Sequence, residues 1–93
     1  MLYLEARHKK IVLEILAKYP FQFYAFGSRV KGNHRKFSDL DICTKNNIPE
    51  VTLAHIQADF EGSDLPFKVD VVALSKCSKR FRQEIEGGKL EEL

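Results

Sequence analysis

The 93-residue chain has little cysteine, no long apolar run and almost no excess of either charge, and each shortage closes off a class of function. Its two cysteines, Cys43 and Cys77, stand far apart without metal-ligand spacing, which argues against a disulfide framework or a zinc site. Both read as reduced thiols of an intracellular, cytoplasmic protein. No apolar stretch approaches the ~20 residues of a membrane span, and the N-terminus lacks the succession of basic, apolar and small residues of a signal peptide. Fifteen basic and 13 acidic residues leave a net charge of +2, too balanced to make nucleic acid the default partner. Also missing are a Walker loop, G-x-x-x-x-G-K-[ST], and the G-x-G-x-x-G dinucleotide fingerprint.

What is present suits a folded domain: 44% hydrophobic and 30% charged residues, ordinary proportions that speak against disorder. Leu4, His8, Ile11, Val12, Ile15 and Leu16 recur at helical spacing, and Glu5/Lys9 and Glu14/Lys18 are spaced as i,i+4 pairs, so residues 2–18 read as an amphipathic helix. Pro20 stops it. An aromatic strand over 21–26 follows, with Phe21, Phe23 and Ala25 on one face and Gln22, Tyr24 and Phe26 on the other. Gly27-Ser28 breaks the strand, and Gly32-Asn33 marks a turn in the basic stretch before Asp39 to Thr44 resume alternation, with Leu40 and Ile42 inward. Pro49 suits the first turn of a helix carrying Leu53, Ile56 and Phe60. Residues 67–74 form the most apolar strand, read as covered on both faces. Ser75 or Ser78 can cap a last helix that turns Phe81 and Ile85 to the core, and Gly87-Gly88 can end it. The expectation is an α/β (α+β-like) fold over residues 1–93, one domain with a small mixed three-stranded sheet backed by about four helices.

Three carboxylates and one glycine turn carry the chemistry. Asp39 and Asp41 are two apart on a strand, so both leave the same face about 6.5–7 Å apart. Asp70 falls in the strand read as buried, where a lone ionised carboxylate costs several kcal/mol unless a cation or donor is near. A shared metal site resolves both observations, and an all-oxygen set suits magnesium. Gly27-Ser28, at a strand-to-helix turn, lets backbone approach an anion and adds a hydroxyl donor. Arg29, Lys31, His34, Arg35 and Lys36 crowd the segment between grip and carboxylates, where they could offset a triphosphate or meet an acidic partner. Gly-Ser alone is usually a turn, and Asp-x-Asp alone a solvated strand face. Together, separated by ten residues, they arise by chance on the order of once in a thousand such chains. Cys43 alternates onto the aspartate side and reads as a small buried thiol. His8 lies on the apolar stripe and His55 on an exposed flank, and neither has a role in this reading.

Phe26-Gly27-Ser28-Arg29, Ser38-Asp39-Leu40-Asp41-Ile42 and Lys68-Val69-Asp70-Val71-Val72 resemble the signature of the polymerase-beta-like nucleotidyltransferase superfamily. The resemblance spans nearly the whole chain, whose short length is similar to the minimal nucleotidyltransferase (MNT) group, antitoxin partners of HEPN-domain RNase toxins. It implies that Asp39 and Asp41 bind two Mg2+ ions and that Asp70 binds the ion activating the acceptor hydroxyl. Gly27 and Ser28 would hold the triphosphate, with Arg29 beside it. The implied reaction is attack of a hydroxyl on the α-phosphorus of ATP, moving AMP to the acceptor and releasing pyrophosphate. In that group the acceptor can be a tyrosine of the HEPN toxin. Two other readings stay open: stoichiometric neutralisation of the toxin without catalysis, and nucleotidyl transfer to RNA or a small molecule.

Overall fold

A computed structural model describes all 93 residues. The elements run α1 (Ala6–Leu16), β1 (Phe23–Phe26), α2 (Ser28–Lys31), β2 (Leu40–Thr44), α3 (Glu50–Glu61), β3 (Val69–Ala73), a 3-10 turn (Leu74–Lys76), α4 (Lys79–Gly87) and β4 (Glu91–Glu92). The sheet has four strands in the order β3-β2-β1-β4, with β2/β3 parallel and both pairings of β1 antiparallel. The mixed α/β architecture with four helices matches the expectation from sequence. The fourth strand does not figure in it, because two charged glutamates show no apolar alternation. They pair with Tyr24 and Ala25 through backbone alone, and Leu93 N–H donates to Phe23 O at 3.0 Å.

Alternation divides the sheet cleanly. Phe23, Ala25, Leu40, Ile42, Val69, Val71 and Ala73 share one core with Val12 and Leu16 of α1 and Ile56 and Phe60 of α3. Burying side chains such as Leu40, Ile42 and Ile56 completely contributes roughly 1.5–3 kcal/mol each. On the opposite face Cys43 packs with Leu74 and Ile85, joined by Tyr24, Phe26 and Val72. That second cluster is small. It leaves the Asp41/Asp70 end of the face outside the apolar packing.

Four expectations are corrected here. The first helix starts at Ala6 because the preceding residues serve as an extended strap: Tyr3 N–H donates to Arg29 O at 2.8 Å and Tyr3 O accepts from Arg29 Nη1 at 3.3 Å. Glu5, outside the helix, therefore pairs with Arg7 at 2.8 Å, and Lys18 with Asp59 at 2.8 Å, in place of the two i,i+4 pairs. β3 is buried on one face only, not covered on both: Val69, Val71 and Ala73 are buried while Asp70 and Val72 are half-buried, and the strand lies at the edge of the sheet. Its free edge is met by the Gln57 amide of α3, which donates to Val69 O at 2.5 Å and accepts from Val71 N–H at 3.2 Å, in the manner of a neighbouring strand. In α4 Ser78 caps as expected, accepting from Phe81 N–H at 3.2 Å. Ile85 is buried, but Phe81 is 41% exposed, because only one residue of this short helix reaches the small second cluster.

Candidate active site

Parallel pairing sets Asp41 of β2 directly beside Asp70 of β3, and neighbouring strands lie about 4.8 Å apart. Both side chains leave the sheet on the Cys43 face, opposite the large core. Asp39, exposed and one residue before β2, has the alternation of Asp41. Asp41 feels the other two. Burial first, then repulsion from Asp70 and from Asp39, pushes the Asp41 carboxyl above its ordinary value.

Here the reading of Asp70 changes. Its side chain is 41% exposed and accompanied by Lys68 at 3.5 Å, since the small cluster on that face does not reach it. Asp41 is the aspartate strained by burial. Asp70, with Asp39, is among the causes of that strain.

Gly27 follows β1 at φ +83°, ψ −154°, a region effectively reserved for glycine. A Cβ there would lie 2.5 Å from Asp41 Oδ2. Backbone freedom and the closeness of the carboxylate thus both require glycine. Gly27 O accepts from Val30 and Lys31 N–H at 3.0 Å each. The first-turn amides of Ser28 and Arg29 have no i−4 partner within this short helix, so they and the Ser28 hydroxyl are the donors available beside Asp41.

Arg29 is placed otherwise than expected. It is 5% exposed, and its guanidinium donates to Ser38 O at 3.0 Å, Tyr3 O at 3.3 Å and Lys36 O at 3.1 Å while lying 4.2 Å over the Phe67 ring. It is a clamp for the loop before Asp39, and it lines a cleft that holds none of the three aspartates. The rest of the basic stretch disperses as well. Lys36 lies over Phe37, His34 stacks near Tyr3 at 5.6 Å, and the Arg35 N–H donates to Ser38 Oγ at 2.7 Å. Cys43 is buried and its thiol is pushed up to about 11, consistent with an inert packing residue.

Lys31 does remain near the glycine turn. It lines a cavity of about 200 Å³ with Phe26, Gly27, Phe81, Ile85 and Lys89. Phe81 and Lys89 do not figure in the sequence reading of the site. The signal that could have found Phe81 is its place one helical turn before Ile85 on α4, combined with the little core that α4 has to cover.

The donor set is all oxygen, as a hard divalent cation requires. No group of three or more side chains is already gathered around one point. Closing on an ion therefore requires carboxylate rotations, which are open to Asp39 and Asp70 at the surface. Relief of the repulsion on Asp41 is the physical reason a cation fits this position.

Residues 9–90 match the family described as polymerase beta, nucleotidyltransferase. A probable protein adenylyltransferase MntA of Haemophilus influenzae is 38% identical over 79 residues, spanning 83% of this chain and 68% of that protein. Among solved structures, one described as the crystal structure of a toxin-antitoxin with AMP-PNP has a TM-score of 0.70, covering 90% of this chain and 70% of that one at 21% identity. That likeness concerns the fold.

Proposed function

The chain belongs to the polymerase beta nucleotidyltransferase family, and from that premise we propose that it is an Mg-dependent antitoxin that transfers AMP from ATP to a cognate HEPN-domain toxin, with a tyrosine hydroxyl as acceptor. The observation that carries the reading is the registered Asp41/Asp70 pair with Gly27 held against Asp41. The adenylyltransferase relative and the fold shared with a toxin-antitoxin bound to AMP-PNP support the nucleotide and the class of partner.

In this mechanism Asp39, Asp41 and Asp70 are the residues that would hold magnesium, with Asp70 nearest the acceptor. Bound there, the metal supplies Lewis-acid stabilisation of the reacting oxygens. The protein's own contribution is positional. Gly27 brings the α2 amides and the Ser28 hydroxyl close enough to hold the triphosphate, with Lys31 at the neighbouring cavity to offset its charge. Asp70, half-exposed on the edge strand, lies where the acceptor hydroxyl can approach and give up its proton. Attack of that oxygen on the α-phosphorus forms the new phosphodiester as the bond to pyrophosphate breaks. Arg29 acts only by holding Ser38, the residue before Asp39.

The test incubates the protein with α-labelled ATP, Mg2+ and the toxin. Label should move to the toxin, and Asp41→Asn or Asp70→Asn should stop it. Transfer undiminished in both variants would refute the assignment, and neutralisation by a folded Asp39/Asp41/Asp70 triple Asn variant would replace it with neutralisation by binding.

A further inference from the structure

The largest cleft in the protein, about 540 Å³, is away from the aspartates and has none of them in its lining. It opens on the α1 side of the sheet, between the N-terminal strap, the loop carrying His34 to Phe37, and Phe67. Its volume is that of a small-molecule site. Five rings face it: Tyr3, His8, His34, Phe37 and Phe67. Tyr3 and His34 lie 5.6 Å apart at an interplanar angle of 30°, and Phe37 is 61% exposed.

Its polar groups share one requirement. Arg29 is 5% exposed and forms hydrogen bonds only to neutral carbonyls. A guanidinium has five N–H donors, so two remain unspent. Burial alone draws its pKa down, with no carboxylate opposing the shift. A buried cation without a counter-charge is costly. His34 adds a buried Nδ1 that has no hydrogen-bond partner, and Lys36 contributes an ammonium 5.4 Å above the Phe37 ring. The one carboxylate in the lining, Glu5, is engaged by Arg7 at 2.8 Å and lies 3.7 Å from His8 Nδ1.

We propose that this cleft is a second ligand site, separate from the aspartates, that takes a ring-bearing anion: a phosphate or carboxylate carried on an aromatic ring. The ring enters between the Tyr3/His34 pair and Phe37, and the anionic group meets Lys36 and the unspent Arg29 donors. His34 Nδ1 gains its missing partner from the same group.

The test is an NMR titration of the full chain, without nucleotide or metal, so its outcome is independent of nucleotidyl transfer. Phenyl phosphate and benzoate are compared with inorganic phosphate and benzyl alcohol. At least one aryl anion should shift the His34 and Tyr3 ring signals saturably, at least ~10-fold more tightly than either half-ligand. The tighter of the two identifies the anionic group. His34→Leu and Lys36→Ala, which spare the Arg29 clamp, should each weaken binding by ~10-fold, while Asp41→Asn binds as wild type. No saturable shift with either aryl anion, equal affinity for the half-ligands, or undiminished binding in folded His34→Leu and Lys36→Ala overturns the proposal.

Discussion

At the scale of single residues, Gly27 and Asp41 form one unit. Gly27→Ala places a methyl where Asp41 Oδ2 now lies and forces a positive φ on alanine. The expected cost is about 1–3 kcal/mol of stability from the backbone, with a loss of transfer on the order of 100-fold from the displaced carboxylate. Thermal melts and label transfer measure the two separately. Asp41 has its own signature. Its folded pKa is raised above the ordinary 3.8, so ionisation costs stability, starting as pH rises past 3.8 and complete above the folded value. In metal-free buffer Asp41→Asn should therefore melt above wild type near pH 7, and the gap should close in acid. Magnesium should narrow it by stabilising the wild type alone. A gap that instead widens in acid would contradict the assigned direction.

At the scale of elements, the edge of β3 depends on one side chain from α3. Gln57→Ala leaves Val71 N–H and Val69 O without their α3 partner, a loss of about 1–3 kcal/mol. Denaturant unfolding should show it, and the Val71 amide should exchange faster than those of β1. This arrangement explains why the third strand is only partly legible in sequence. Its run of apolar residues marks a strand correctly, but the same run suits a central strand or an edge strand sealed by an amide. Helix α1 shows the converse. Its stripe identifies the helix, while its start depends on the strap that Arg29 ties down, a long-range contact that local periodicity does not carry.

For the molecule as a whole, the large core binds one face of the sheet to α1 and α3, while α4 covers the other face in part. The molecule is correspondingly thin, 17 Å along its shortest axis against 32 Å along its longest. The aspartates lie on the sparsely covered face, where a partner can bring an acceptor. With α-labelled ATP and magnesium, label should accumulate on the toxin only when both proteins are present. Equal labelling of this chain alone would mean that the acceptor belongs to the chain itself. No helix of the protein is long and apolar enough to cross a membrane.

Residue spacing by itself determined that Asp39 and Asp41 alternate onto one side of the chain at β2, that Leu40 and Ile42 oppose them, and that glycine begins the turn at 27. Period two and backbone sterics are local properties, so they are written in neighbouring residues. Only the tertiary structure decided the charge environments. The sequence places Asp70 as the buried carboxylate and Arg29 as a phosphate contact, and the fold differs on both. A sparsely covered face leaves Asp70 half-exposed, neighbouring elements make Asp41 the burdened aspartate, and three distant carbonyls engage the Arg29 guanidinium. Burial and hydrogen-bond partners depend on which strands become neighbours, and that is settled by packing across the chain.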